Sequence, residues 1–304
     1  VSPLRSLSRR ALLLGTGATL LLSACGGGAG AESSRELGIS AIPDQDPELL
    51  GRLHPAVAER FADATGLEVA YRRVTDYTAV VRAFEIGDVQ LAWMGGLTGV
   101  QARERVPGAT ALAQRDIDAD FHSLFIAHAG SGLEPFEEPD GLRSLAGHTL
   151  TFGSETSTSG RLMPQYFMRE AGLEPGELRG EAGFSGSHDA TIELVASGSF
   201  QAGAVNEQVW EATVAADESV LDKVVVLWRT PGYADYHWLA RPDLDEEFGS
   251  GTRQQVLDLL LGLDHRDAED AELLDLFGAE SFIPATDSAY DQIEDVARDL
   301  GLLR

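Results

Sequence analysis

The strongest constraint on the fold is a regular alternation of short apolar runs with amphipathic stretches, each punctuated by helix starts and stops. Leu37 to Ile42 reads as a strand, Pro47 to Ala64 as an amphipathic helix closed by Gly66, and Leu67 to Val74 as a second strand. Asp76 is placed to cap a helix running to about Ile86, which Gly87 ends, and Val89 to Met94 supplies a third strand. Such a β-α-β-α-β succession predicts a mostly parallel sheet with helices on both faces. A second set begins near Phe121. It comprises strands over Phe121 to Ala127, His148 to Phe152, Ala202 to Val205 and Val224 to Trp228, with helices over Ser159 to Ala171, His188 to Ala196 and Gln208 to Ala216. From about Trp238 the chain reads as a return to the first unit, closing with helices around Thr252 to Leu263, Ala268 to Phe277 and Ala289 to Leu300. A chain of 304 residues with 43% hydrophobic content supports two such units.

The first residues stand apart. Arg5, Arg9 and Arg10 form a positive region, Ala11 to Leu22 an apolar stretch of signal-peptide length, and Leu22-Ser23-Ala24-Cys25 ends it with small residues before a cysteine. The stretch is shorter than the roughly 20 apolar residues of a membrane span, so export is expected, with residues 1–24 as the signal. Leu22 to Cys25 resembles the lipobox of bacterial lipoproteins, which implies cleavage before Cys25 and its acylation as a membrane anchor. Cys25 is the only cysteine, so it has no intramolecular disulfide partner, and the glycine-rich segment behind it, within residues 25–36, reads as a flexible tether. Ser8 to Leu13 also resembles a twin-arginine export signal, while paired arginines fit an ordinary signal as well.

The formal net charge is −26, and removal of the three signal arginines makes it more negative still. Such a surface repels nucleic acid and anionic lipid. An anion is captured by a protein this acidic only through a local arrangement of neutral donors or a few arginines. The segment Gly153-Ser154-Glu155-Thr156-Ser157-Thr158-Ser159-Gly160 lies between an expected strand and an expected helix start, where unpaired backbone N–H groups and the helix dipole favour negative charge. A single hydroxyl suffices for a helix cap, so four hydroxyl residues in a row point to an anion cage. His188, in Gly186-Ser187-His188-Asp189, and Tyr77, after Asp76, are further donors at helix starts, although capping and core packing account for each taken singly.

Val74-Thr75-Asp76-Tyr77, Gly87 to Gly96, Ser157 to Gly160 and Ser187 to Ala190, in that order, resemble the successive signatures of the phosphate/phosphite/phosphonate-binding proteins of ABC importers. Within that family Gln114 to Asp118 and Asn206 to Trp210 look like those of members assigned to selenate import. The resemblance implies a type II periplasmic-binding-protein fold: two α/β lobes joined by a two-strand hinge, with residues 37–117 plus 238–304 in one lobe and 118–237 in the other. It implies ligand contacts from Tyr77 and the Trp93, Gly95, Gly96 and Leu97 turn of the first lobe, and from Ser157, Thr158, Ser159 and His188 of the second. Asn206 and Glu207 occupy the place of residues that meet the ligand's substituent, and Asn206 in first position argues against an aminophosphonate. Neighbouring strand residues point to opposite sides, so one of this pair faces the cleft: Asn206, the preferred one, makes selenate or another fully ionised oxyanion acceptable, whereas Glu207 favours a protonated phosphorus oxyanion. Arg115, Tyr233, Tyr236 and His237 fall at the wall or hinge. The expected partners are a small oxyanion and an ABC permease, the expected state a monomer, and no cofactor or metal is implied.

Competing readings are weaker. Ser157 or Ser159 with His188 and Asp189 has the residue types of a hydrolase but no Gly-x-Ser-x-Gly elbow, and adjacent His188 and Asp189 point apart from a helix start. Fold relatives that make thiamine-pyrimidine precursors are cytosolic, against the export signal, and the seven histidines lack metal-ligand spacing. An oxyanion-sensing adaptor for a membrane receptor fits the sequence as well as an importer component does.

Overall fold

The computed structural model of the protein describes residues 36–303. The export signal, Cys25 and almost all of the tether expected from the sequence lie outside them. The chain first builds β1 (Leu37–Ala41), α1 (Pro47–Thr65), β2 (Val69–Tyr71), α2 (Tyr77–Ile86), β3 (Leu91–Met94), α3 (Gly96–Arg105) and β4 (Thr110–Arg115). Asp46 and Asp76 cap α1 and α2 by accepting backbone N–H bonds, and Gly66 and Gly87 end them in the left-handed conformation. It then forms β5 (Ser123–His128), β6 (Leu150–Phe152), a π-helical turn over Thr158–Leu162 leading into α4 (Met163–Glu170), β7 (Gly183–Phe184), α5 (His188–Ala196), β8 (Ala202–Asn206), α6 (Glu207–Ala216) and β9 (Val224–Arg229). The return comprises β10 (His237–Ala240), α7 (Leu244–Phe248), α8 (Thr252–Gly262), α9 (Ala268–Phe277), β11 (Phe282–Pro284) and α10 (Asp291–Asp299).

The strands divide between two sheets, ordered β11-β4-β10-β3-β1-β2 and β7-β6-β8-β5-β9. In each sheet most strands run in one direction, as the alternation predicts, with β10 and β11 reversed in the first and β5 in the second. β1 is parallel to β2 and β3, and β6 to β7 and β8, but β10 runs antiparallel to β3 and β4, and β5 antiparallel to β8 and β9. The reason is the path of the chain. β4 carries it out of the first lobe and β10 brings it back, while β5 and β9 do the same for the second, so each outward strand lies beside an inward one of opposite direction. The two crossing segments are joined to one another. Phe121 N donates to Tyr233 O (2.8 Å), Tyr233 N to Phe121 O (3.0 Å) and Asp235 N to Asp118 O (3.0 Å).

Each sheet is buried on both faces, as helix-flanked sheets require. In the first lobe Phe61, Phe84, Trp238 and Tyr290 are fully buried around the strands. In the second, Phe125, Phe152 and Trp228 pack on one face and Ile126, Val205 and Trp210 on the other. These cores fix the positions of the helix starts at α2, α3, α5 and the π turn. Among the described residues no helix is long and apolar enough to cross a membrane.

Candidate functional site

The starts of α2, α3, α5 and the π turn converge where the lobes meet. Leu97 N, at the start of α3, donates to Thr158 Oγ1 across the gap (3.0 Å), Gly96 N donates to Asp235 Oδ1 (2.9 Å), and His188 N donates to Asp44 O (3.0 Å). A Cβ on Gly95 would lie 3.1 Å from both Asp235 Oδ1 and Thr158 Oγ1, so only glycine gives this approach without displacing them.

The three hydroxyls of the Ser157-Thr158-Ser159 run have different partners. Ser157 Oγ accepts from Gly160 N (2.9 Å) and caps the turn, and Thr158 Oγ1 is taken by Leu97 N. Ser159 Oγ is buried and has no hydrogen-bond partner among the described residues. The same holds for Tyr77 Oη, His188 Nε2 and Asp235 Oδ2. A buried polar atom without a partner costs about 1 to 3 kcal/mol, so this cluster is unfavourable unless something binds it.

His188 is a donor by construction. Its Nδ1 accepts from Asn206 N (3.2 Å), which leaves the ring proton on Nε2, and burial pushes its pKa down to about 3, so the ring is neutral. Its Cε1 lies 3.0 Å from where a Cβ of Gly160 would stand, so the imidazole faces the Ser/Thr turn. Burial also raises the Tyr77 phenol well above its usual range, which keeps that group a neutral donor. The Ser159 backbone is held in place: Ser123 Oγ donates to its carbonyl oxygen (2.7 Å) and lies 2.6 Å from Tyr233 Oη.

Two buried carboxyls complete the site, and neither was marked by sequence reasoning. Burial pushes Asp235 up to about 7, against the lowering effect of the Gly96 N–H bond and the nearby Thr158 hydroxyl. Asp44, in the loop after β1, is raised to about 6 by burial, with the nearby Tyr236 hydroxyl and Arg115 charge acting the other way. Asp235 stands between Tyr233 and Tyr236, both of which the pattern did single out. A lone acid in a crossing segment reads as a solvated loop residue, and the groups that enclose its carboxyl, the Gly95–Gly96 turn and Thr158, are distant in the chain.

The remaining expected residues fall into three places. Asn206 is buried at the site: its Nδ2 donates to Tyr236 Oη (3.1 Å) and its Oδ1 accepts from Val209 N (2.6 Å), capping α6. Glu207 begins α6 and turns outward to a fork on Arg229 (2.5 and 2.8 Å). Trp93 lies beneath the site, stacked on Tyr236 (5.8 Å between centroids), and Arg115 is buried against Trp93, Tyr236 and Phe121 while its guanidinium forks onto Asp118 (both 2.7 Å). His237 lies in β10 behind α3, against Gly99 and the ring of Tyr290 (4.1 Å). Among the described residues no group of three His, Cys, Asp or Glu side chains is placed to hold a metal ion.

Residues 39–290 match the family described as ABC transporter, phosphonate, periplasmic substrate-binding protein. The chain belongs to that family. It is 42% identical, over 88% of its own length and 91% of the relative's, to the probable ABC transporter phosphite binding protein PhnD1 of Prochlorococcus marinus (strain MIT 9301). The structure of that relative in complex with methylphosphonate superposes with a TM-score of 0.86, covering 88% of this chain and 99% of the other. The phosphate-import protein PhnD of Mycolicibacterium smegmatis is 24% identical, with 91% of each chain covered. A binding protein component of a Pseudomonas aeruginosa ABC phosphonate transporter shares the fold at 19% identity, with a TM-score of 0.75 over 86% of this chain and 85% of that one. Membership makes the chain the extracytoplasmic binding component of an importer, with the two-lobed architecture that the family shares.

Proposed function

We propose that this protein captures a small phosphorus oxyanion, of the phosphite or methylphosphonate kind, between its lobes and presents it to an ABC permease. The observation that carries this reading is Asp235 Oδ2, buried and unpartnered beside three neutral donors, Tyr77 Oη, Ser159 Oγ and His188 Nε2. Donors satisfy anionic oxygens. A carboxyl titrating at about 7 then exchanges one proton with the ligand: ionised, it accepts from a P–O–H, and protonated, it donates to a fully ionised oxygen. A monoprotonated oxyanion meets every group in this set. Selenate and sulfate have no proton to give and bind only to the protonated carboxyl.

The protein acts without chemistry on its ligand. The proton on His188 Nε2 makes that ring a donor rather than a base for Ser159, which speaks against acyl transfer. Ligand bridging both lobes favours the closed state, the form read by the permease. The division of lobes at about residues 117 and 238, the monomeric state and the lipid anchor at Cys25 belong to the same proposal, supported by the crossing segments and by the lipobox-like sequence.

Titration calorimetry of the mature protein with phosphate, phosphite, methylphosphonate, sulfate, selenate and selenite at pH 6 and 8 tests it. Phosphite or methylphosphonate is expected to bind tightest at both values, and selenate and sulfate to weaken by about tenfold per pH unit above 7. Tighter binding of selenate than of either phosphorus ligand at pH 8 would overturn the assignment.

A further inference from the structure

Gln208, to which the ligand-binding reading assigns no role, stands apart from the oxyanion site and joins the two lobes. Its Nε2 donates to Phe277 O (2.9 Å) and Gly278 O (3.1 Å) at the end of α9, and its Oε1 accepts from Arg115 Nη1, which also donates to Phe277 O (2.8 Å). One amide thus ties the first turn of α6, in the second lobe, to the end of α9 and the end of β4, in the first. We infer that Gln208 is a latch that holds the lobes closed and sets ligand affinity without touching the ligand.

The surroundings fit a device rather than ordinary packing. Two surface grooves, of about 630 and 270 Å³, meet at this bridge, and Gln208 and Gly278 line both. The amide is a pillar between the grooves. Gly278 adopts a φ of +62°, and a Cβ there would stand 1.9 Å from Gln208 Nε2, so the backbone on the first lobe is shaped for this approach. Arg115 links the latch to the site, because its guanidinium lies against Tyr236, and Tyr236 accepts the hydrogen bond of Asn206.

The oxyanion site is closed off, with Tyr77, His188 and Asp235 each at most 2% exposed, so a ligand reaches it only when the lobes part. Contacts made only in the closed state raise affinity by raising the population that binds, and their loss appears mainly as faster dissociation. A residue contacting the ligand changes the ratio of affinities between ligands. The latch changes all of them alike.

The affinity readout rests on the ligand class proposed above, and a second readout does not. In the full chain, Gln208→Ala is expected to raise the Kd for phosphite and for methylphosphonate by the same factor, about tenfold, through faster dissociation with association nearly unchanged. In the ligand-free protein, hydrogen exchange of the peptides carrying Leu97 N and His188 N, which donate across the lobes, is expected to speed up, while β1 and β8 keep their protection. A Kd within twofold of the parent for both ligands, or a loss confined to one of them, overturns the latch. If the parent binds neither ligand, the proposed ligand class fails, and equal exchange rates in parent and variant then overturn the latch on their own.

Discussion

Replacing Asp235 by Asn tests the reasoning behind the site most sharply, because it removes an ionisation while keeping Oδ1 for the Gly96 N–H. The carboxyl is raised from 3.8 to about 7, and at 1.36 kcal/mol per unit its ionisation in the folded protein costs about 4 kcal/mol. The sign follows from proton occupancy. Between pH 3.8 and 7 the folded chain keeps a proton that the unfolded chain has released, so this group's contribution to stability is full below 3.8, declines as pH rises and is lost above 7. Asn does not titrate, but its amide is left without a partner at about 1 to 3 kcal/mol. The ligand-free variant should therefore be more stable than the parent at pH 8 by about 1 to 3 kcal/mol, or roughly 3 to 8 °C in melting temperature. At pH 5 about 2.5 kcal/mol of that gain is gone, and the order narrows or reverses. Scanning calorimetry of both proteins without ligand at pH 5, 6.5 and 8 measures this. Melting temperatures that shift in parallel across the range would refute a carboxyl titrating near 7.

Three further outcomes are expected. Ser159→Ala should weaken binding of phosphite and methylphosphonate by about 1 to 3 kcal/mol in calorimetry while raising the ligand-free melting temperature, since the hydroxyl it removes is buried without a hydrogen-bond partner among the described residues; wild-type affinity would make the Ser/Thr run a helix cap only. Glu207→Gln should leave the affinities for phosphite and selenate within twofold of the parent, because its partner Arg229 is half exposed; a large gain for selenate would put Glu207 at the ligand. Cys25→Ala should release the protein from membrane fractions or block its processing, and unchanged fractionation and processing would dismiss the anchor.

What the sequence made legible follows from local physics. The caps Asp76, Gly66 and Gly87 and the apolar runs of β1, β3 and β8 are decided within a few residues, and so was the crowding of hydroxyls at Thr156 to Ser159. α3 and β4 escaped because Gly96 to Arg105 and Thr110 to Arg115 carry weak apolar periodicity and owe their form to tertiary neighbours. The direction of β5 and β10 depends on how the chain crosses between lobes, which no window of residues records. The division of roles within the hydroxyl run was hidden for the same reason: Thr158 is taken by Leu97 N, 61 positions away. Asp44 and Asp235 were illegible because their importance is burial itself. A carboxyl in water and one enclosed by two lobes are the same letter.

The insertion of β10 between β3 and β4 also imposes an order on biogenesis. Among the described residues β4 pairs with β10 and β11 alone, so from residue 115 until residue 237 emerges it has no strand beside it. The five strands of the second sheet, by contrast, lie in one uninterrupted stretch, residues 123–229, and can assemble while the first remains split. A nascent chain halted near residue 235 would carry a finished second lobe beside a three-stranded half-sheet with an open flank at Leu91–Met94. Such a flank is a template for intermolecular pairing until β10 covers it.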